Sequence, residues 1–316
     1  KDQGSDMGLF GGFLGWDADD ERLPDSEKHL FDAGIAVAIE IVDIGAVHPN
    51  TYRITLSNSV EKHRITAIST GGGMIEIVEI DGAAVSQAGD FFVTLIFCDD
   101  PQKILEKIGD LPQADEINTG YGERNFVEIK SRIPLDHSSL TERANRTLSI
   151  RTLKPVLPVL SRKDLSVPFI NCEEMFAYNA SRGLELWELA THYEAERGGI
   201  TQAEVFEKMR SIVRIMENAV SSGLRGTSYE DRILGAQSLQ FREKMNDRGL
   251  IGGDTNNTII MYVSAIMEVK SSMGVIVAAP TAGSCGALPG ALIGSAHSLG
   301  LPEDSLVKAM LAAGLI

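Results

Sequence analysis

The period of the hydrophobic pattern changes near residue 172, and this change limits the fold more than any other feature of the chain. Before it, short apolar runs of strand length are separated by turn residues, at 36–43, 52–57, 64–70 and 74–80. After it, apolar side chains recur at helical spacing, in 173–182, 184–197, 202–222, 229–246, 257–273, 287–299 and 303–313. The sequence therefore predicts an α+β N-terminal half followed by an all-α half.

The N-terminal half contains a second, smaller unit. An apolar strand at 91–98, a helix at 101–111 that begins with proline and a strand at 125–130 form a β-α-β pattern of regulatory-domain size. Prolines and charged residues then interrupt all periodicity around 153–168. We therefore expect four segments: a first domain at 1–88, a small unit at 89–136, a linker at 137–170 and a helical domain at 171–316.

Composition and charge exclude several classes of protein. The chain has 316 residues, 43% of them hydrophobic, and 29 basic against 44 acidic residues give a net charge of −15. This balance argues against nucleic acid and against anionic membrane surfaces as partners. The sequence shows neither a signal peptide nor an apolar run long enough to cross a bilayer. Three cysteines are too few for a disulfide scaffold and predict a cytoplasmic protein.

Both ends of the sequence predict a segment of something longer. The chain starts at Lys1 without an initiator methionine and stops in the apolar run Ala-Ala-Gly-Leu-Ile at 312–316. Such a run would be half-exposed without a partner, so we expect the helical domain to be incomplete.

The strongest candidate for chemistry is Cys285, in a loop of small residues that follows an apolar run. Gly283 and Gly286 flank it closely enough for backbone to approach a bound group without a Cβ clash. One cysteine cannot build a zinc site or a four-iron cluster alone. From the residues alone, a small buried cysteine at a helix entry and a functional sulfur are equally good interpretations.

Three further motifs have a functional and a structural interpretation. His48, in His-Pro-Asn-Thr at 48–51, could act as an acid or base, but a surface turn explains the motif better. Ser-Thr-Gly-Gly-Gly at 69–73 could bind an anion through backbone N–H groups or form a plain turn. Gly-Leu-Ile-Gly-Gly-Asp at 249–254 could bind a carboxylate at a helix N-terminus, although Asp254 or Thr255 as an N-cap would suffice to explain it.

Taken together, these segments resemble the iron-sulfur-dependent L-serine dehydratases. The resemblance rests on 1–6, 11–15, 19–22, His-Pro-Asn-Thr at 48–51 and 69–82 for the β-type domain, and on 249–254 and 268–290 for the catalytic α-type domain. Its strongest piece is 278–286. The segment 90–136 is similar to a divergent ACT-like regulatory unit. Lys270 and Gln3 depart from the residues that the family pattern would place there, an asparagine and a histidine.

The resemblance implies a specific activity. L-serine would undergo β-elimination without pyridoxal phosphate, and the resulting aminoacrylate would yield pyruvate and ammonia. A [4Fe-4S] cluster held by three cysteines would activate the serine hydroxyl through its open iron. Cys285 would be the first ligand, and the other ligands would lie beyond Ile316. We also expect a homo-oligomer.

The resemblance also implies a set of site residues. His48 is our candidate for the base that takes the α-proton, because the active site would lie where the two halves meet. The expected substrate contacts come from the motifs described above: Asn50, Gly252, Gly253, Asp254, Thr281, Ala282, Gly283, Ser284 and Gly286.

Two other hypotheses fit the sequence. The chain could be a non-catalytic amino-acid-binding regulatory subunit or paralogue, with its N-terminal half as the sensor. It could also be a lyase or desulfidase that uses Cys285 as a nucleophile without a cluster.

Overall fold

The structure is a computed structural model, and it describes residues 4–71, 73–144, 148–230, 234–247 and 249–316. The chain divides into two compact units. The sheet unit comprises Ile44–Leu184 and Thr191–Val205, and the helical unit comprises Lys1–Asp43, Glu185–Ala190 and Phe206–Ile316. Lys1–Asp43 therefore groups with helices, although the predicted domain 1–88 placed it with the strands. The order of elements confirms an α+β half followed by an all-α half.

The first sheet is an antiparallel meander in the order β1-β2-β3-β4. Its strands are β1 (Thr51–Ser57), β2 (Lys62–Gly71), β3 (Met74–Ile80) and β4 (Ala83–Gln87). The predicted strands 52–57, 64–70 and 74–80 are thus confirmed. Gly71 and Gly73, with φ of 101° and 81°, flank the β2–β3 turn, which needs residues that tolerate positive φ. The third glycine, Gly72, lies outside the described residues.

The predicted strand at 36–43 is wrong. Residues 35–46 adopt no regular structure, although most of them are apolar. An apolar run shows only that a segment can lie in a sheet, and a strand also needs a neighbour for its backbone hydrogen bonds. No described strand pairs with this segment.

The second sheet has the order β6-β7-β5-β8, and all its pairs are antiparallel. Its elements follow in the order β5 (Phe92–Phe97), α3 (Pro101–Ile108), β6 (Ala114–Gly120), β7 (Phe126–Ser131), α4 (His137–Ala144) and β8 (Ser149–Leu153). This is the βαββαβ arrangement of ferredoxin-like folds. Helix α3 ends before the predicted residue 111 because Gly109, at φ 63°, stops it.

The second half of this arrangement lies in 137–170, which the sequence analysis assigned to a linker. That assignment is wrong for α4 and β8, because β8 pairs with β5 along its whole length. Strand β8 has only five residues and is followed by a proline-rich stretch, so its apolar pattern is too short to indicate a strand from the sequence. The small unit predicted for 89–136 therefore continues to Leu153.

Both faces of the second sheet are buried. On one face, Ile96, Val127 and Ile129 pack with residues of α3 and α4. On the other face, Leu95 and Phe126 pack with residues of the first sheet. Helices, second sheet and first sheet thus form three layers with two apolar cores.

Two helices precede the first sheet, α1 (Ser5–Phe13) and α2 (Ser26–Asp32). The helices after residue 171 confirm the all-α prediction for that half. They are α5 (Cys172–Asn179), α6 (Leu186–Gly198), α7 (Gln202–Arg225), α8 (Ser238–Asn246), α9 (Asp254–Ser271), α10 (Ala287–Ser298) and α11 (Glu303–Leu315). Helix α8 starts nine residues later than the predicted 229–246, and 231–233 lie outside the described residues. No described helix is both long and apolar enough to span a membrane.

Candidate functional site

The loop that carries Cys285 connects α9 to α10 in the helical unit. It contains a cis Ala279–Pro280 peptide and a 3₁₀ turn at Ala282–Ser284. Thr281 and Ser284 hold this turn through a capping box, in which each backbone N–H donates to the other residue's hydroxyl at 3.3 Å. The Ser284 hydroxyl also donates to the Ala279 carbonyl at 3.1 Å. The two hydroxyls therefore give a loop of small residues a defined shape.

Cys285 is fully buried where this loop enters α10. Its Sγ lies 3.9 Å from the Met267 Sδ on α9. Burial raises the pKa of the Cys285 thiol, and the charge of Lys270 opposes that rise only in part. A thiol is a much weaker nucleophile than a thiolate, so this environment argues against the hypothesis of a cluster-free nucleophile.

Three glycines let α10 lie directly on the backbone of α9. A Cβ added to Gly286 would be 2.8 Å from the Met267 Cγ, and one on Gly290 would be 2.7 Å from the Val263 backbone nitrogen. A Cβ on Gly294, one turn further, would be 2.9 Å from the Ile259 Cα. Gly286 thus serves helix packing at the end of the loop, and this contact fixes Cys285 beside Met267.

Gly252, Gly253 and Asp254 lie at the other end of α9. Gly253 is the N-cap residue and Asp254 the first residue of the helix, so the predicted N-cap at Asp254 or Thr255 is wrong by one or two positions. All three are exposed. Thirteen residues separate Asp254 from Met267, which places this end about 20 Å from Cys285 along the helix axis. A role for these residues as substrate contacts stays a prediction.

His48 and Asn50 belong to the sheet unit. The Asn50 N–H donates to His48 Nδ1 at 3.2 Å, and the Thr51 hydroxyl donates to the His48 carbonyl at 2.6 Å. The Ser69 N–H donates to the Asn50 carbonyl, which ties the turn to β2. These contacts match the surface-turn interpretation of the motif. The acid-base role of His48 and the substrate contact of Asn50 stay predictions.

Glu268 on α9 is a buried carboxylate that was not among the predicted site residues. One of its oxygens accepts from the backbone N–H groups of Gln237 and Ser238 at 2.8 Å each, and the other accepts from the Ser238 hydroxyl at 2.7 Å. Glu268 therefore caps the N-terminus of α8 from a different helix. The signal in the sequence was an acidic residue within the mostly apolar stretch 259–269.

A second missed cluster lies between the two sheets. The Asp81 carboxylate is buried and contacts His63 Nδ1 at 2.7 Å, and it accepts from the Arg64 N–H at 2.7 Å. Arg124, from the loop before β7, approaches His63 Nε2 at 3.2 Å. These residues are far apart in the chain, so no motif could reveal them.

Metal ligands are sparse among the described residues. No disulfide joins the three cysteines, and only Cys285 is buried. No group of three or more His, Cys, Asp or Glu side chains in the described part could hold a metal ion.

Comparisons with known proteins match this chain to serine dehydratases. A family profile described as "Serine dehydratase alpha chain" matches residues 181–316, which include the Cys285 loop. The probable L-serine dehydratase beta chain of Bacillus subtilis is 32% identical over 123 residues, 39% of this chain and 56% of its own length. The alpha chain from the same organism is 25% identical over 146 residues, 46% of this chain and 49% of its own.

The chain is thus similar to L-serine dehydratases. Another relative, the L-serine dehydratase of Streptomyces coelicolor, is 30% identical over 164 residues, 50% of this chain and 35% of its own length. This chain matches both an alpha and a beta chain, which are separate proteins in Bacillus subtilis. It spans about half the length of those two relatives.

Proposed function

We propose that this protein is an L-serine dehydratase, a lyase that converts L-serine to pyruvate and ammonia without pyridoxal phosphate. The observation that carries the proposal is the position of the Cys285 loop inside the region matched to the serine dehydratase alpha chain. Relatives named L-serine dehydratase support a lyase or dehydratase activity for this chain. We extend this support to L-serine as the substrate.

The cofactor is a separate part of the proposal. A [4Fe-4S] cluster with one open iron needs three cysteines. The described residues supply one suitable thiol, Cys285, because Cys98 and Cys172 belong to the sheet unit and form no metal-binding group. The described residues therefore do not fit a cluster by themselves. We propose Cys285 as one ligand, with the remaining ligands outside these 316 residues.

The loop residues have their own proposed role. The capping box between Thr281 and Ser284 fixes the backbone at Ala282 and Gly283, which are exposed. A fixed, exposed turn of small residues can offer N–H groups to the substrate carboxylate at little entropic cost. His48 would take the α-proton. A cytoplasmic homo-oligomer completes the proposal and rests on the family resemblance.

The test is to reconstitute the complete protein anaerobically with iron and sulfide and to supply L-serine. We expect a visible iron-sulfur absorbance and release of pyruvate. Absence of both would refute the proposed function and leave the regulatory-subunit hypothesis, whose mark would be amino-acid binding without turnover.

The ligand role of Cys285 needs a matched pair of variants. Cys285→Ser is expected to lose the absorbance and the activity together, because one of the cluster ligands is removed. Cys172→Ser is the control, since Cys172 is exposed and lies in the other unit. A Cys285→Ser protein that keeps both signals would refute the assignment.

A further inference from the structure

Strand β1 is an open edge of the first sheet. It pairs with β2 over all seven of its residues, and the order β1-β2-β3-β4 leaves its other side without a strand among the described residues. In an antiparallel pair, every second residue directs its N–H and C=O groups away from the neighbouring strand. No hydrogen bond within the described part of the chain uses these outward groups at 52–57. The edge of β1 can therefore accept one more strand.

This edge lacks the features that usually protect an edge strand. A proline, a bulge or a charge that points inward would discourage pairing with another chain. β1 contains no proline, and its pairing with β2 shows no register shift. Its one charged residue, Arg53, points to the face opposite that of its apolar side chains, because side chains alternate along a strand. Nothing in β1 itself therefore prevents a further strand from pairing.

The apolar side chains of β1 form a row on one face of the first sheet. The row consists of Tyr52, Ile54 and Leu56. Ile54 lies opposite Ile65 of β2, and Ile65 packs against the core between the two sheets. The row thus continues the apolar face of the sheet, but Tyr52 and Leu56 are still 45% and 37% exposed. An exposed apolar row beside an open edge indicates that a partner covers both.

A second copy of β1 matches this edge. An antiparallel copy related by a two-fold axis at Ile54 pairs Tyr52 with Leu56, Arg53 with Thr55, and Ile54 with itself. Paired positions then differ by an even number of residues. The apolar row therefore meets the apolar row, and the outward backbone groups of one strand meet those of the other.

Other positions of the axis fit less well. An axis at Arg53 would place two arginines directly opposite each other, which is unfavourable. An axis at Thr55 would leave Thr51 and Tyr52 unpaired. An axis between two residues would pair apolar with polar side chains. Only the axis at Ile54 uses all seven residues of the strand.

We propose that the β1 edges of two copies of this protein pair about a two-fold axis at Ile54 and join their four-stranded sheets into one. Backbone hydrogen bonds give the contact its affinity, and the apolar row fixes its register. This contact supplies the surface for the homo-oligomer of the proposed function and rests on that part of it alone. It needs neither an iron-sulfur cluster nor turnover.

The test is the mass of the complete protein in analytical ultracentrifugation over a range of concentrations. Tyr52→Lys places a charge opposite the apolar Leu56 of the second copy, and Leu56→Glu places one opposite Tyr52. Each variant is expected to raise the dissociation constant of the contact at least about tenfold, because each change occurs twice in the pair and buries a charge against an apolar side chain. Thermal unfolding checks that both variants remain folded.

The double variant Tyr52→Lys/Leu56→Glu tests the register. The new lysine and glutamate lie opposite each other across the axis, so association is expected to recover relative to either single variant. Within one strand these two positions are about 13 Å apart, too far for an ion pair, so recovery requires the second copy. Ile117→Lys is the matched control, since Ile117 is 39% exposed on the edge strand β6 of the second sheet. It should associate as the unchanged protein does.

Three results would overturn the proposal. They are a monomeric unchanged protein, unchanged association in Tyr52→Lys and Leu56→Glu, and a double variant that associates no better than the single ones. Each would mean that the edge is covered by another part of the protein or by a different partner. Mass is measured without substrate or cluster. Failure of this contact therefore leaves the proposed reaction untouched, and absence of pyruvate release leaves the contact untouched.

Discussion

At the scale of single residues, the glycines of α10 are required by helix packing, whereas Gly283 in the preceding loop is not. Gly290 has no room for a Cβ, because Val263 backbone atoms already occupy the position. Gly283 is exposed, and an added Cβ would meet only the Thr281 hydroxyl oxygen, at 3.6 Å. Both are small residues near Cys285 in the sequence, and only their packing separates a structural glycine from a candidate binding residue.

The first prediction concerns Gly290→Ala. The added methyl group must push α10 away from α9, so the free energy of unfolding is expected to fall by about 1–3 kcal/mol. Gly8→Ala in α1 is the control, since no atom lies within 4 Å of its added Cβ. Because alanine favours a helix more than glycine does, the control should be unchanged or up to about 1 kcal/mol more stable. Denaturant unfolding measures both, and equal effects would contradict the close approach.

At the scale of elements, α8 begins where a carboxylate from another helix meets it. Its own N-cap residue, Gln237, forms no side-chain cap, and Glu268 on α9 takes over that role. The apolar spacing in 229–246 predicted an earlier start for α8. Helix propensity and apolar periodicity are local properties, and they contain no information about a cap that comes from another part of the chain. Helix ends are decided by the partners of the first N–H groups, and here those partners are tertiary.

The second prediction follows from this contact. Glu268→Ala removes the acceptor of the buried Ser238 N–H and of the part-buried Gln237 N–H. The unsatisfied Ser238 group alone is expected to lower the free energy of unfolding by about 1–3 kcal/mol. The amides of these two residues should exchange hydrogen faster in the variant. Glu243→Ala is the control, because Glu243 is exposed on α8. This variant should change neither the free energy of unfolding nor the exchange rates at residues 237 and 238. Unchanged exchange at residues 237 and 238 in Glu268→Ala would argue against the cap.

At the scale of the whole molecule, the sheet unit is organised by β5, which is buried on both faces. Leu95 faces the first sheet and Ile96 faces α3 and α4, and they are 3% and 0% exposed. In a sheet with one solvated face, one of two adjacent residues would tolerate truncation. The three-layer arrangement removes that tolerance.

The third prediction tests the layers directly. Leu95→Ala and Ile96→Ala are each expected to lower the free energy of unfolding of the sheet unit by about 2–5 kcal/mol, because each opens a cavity in a different core. Leu56→Ala on β1 should cost less than about 1 kcal/mol, because Leu56 is already more than a third exposed. A tolerated Leu95→Ala would mean that the two sheets do not share a core.

The sequence by itself predicted much of the local structure and the resemblance to L-serine dehydratases. Periods of two and 3.6 in the apolar residues predicted three of the four strands in the first sheet and the helical half, since burial of one face imposes those periods. The sequence also indicated the Cys285 loop as a candidate site, because a cysteine among glycine, serine and threonine can be recognised without knowledge of the fold. The region matched by the serine dehydratase alpha chain profile includes this loop, and its role stays a prediction.

Only the tertiary structure decided which residues meet. It left 36–43 without a partner strand, added α4 and β8 to the second sheet, and joined Glu268 to α8. It also brought Asp81, His63 and Arg124 together, although His63 and Arg124 are 61 positions apart. Strand pairing, helix capping and charge complementarity depend on distances in space between residues that are remote in the chain. The apolar periodicity of the sequence contains no information about those distances.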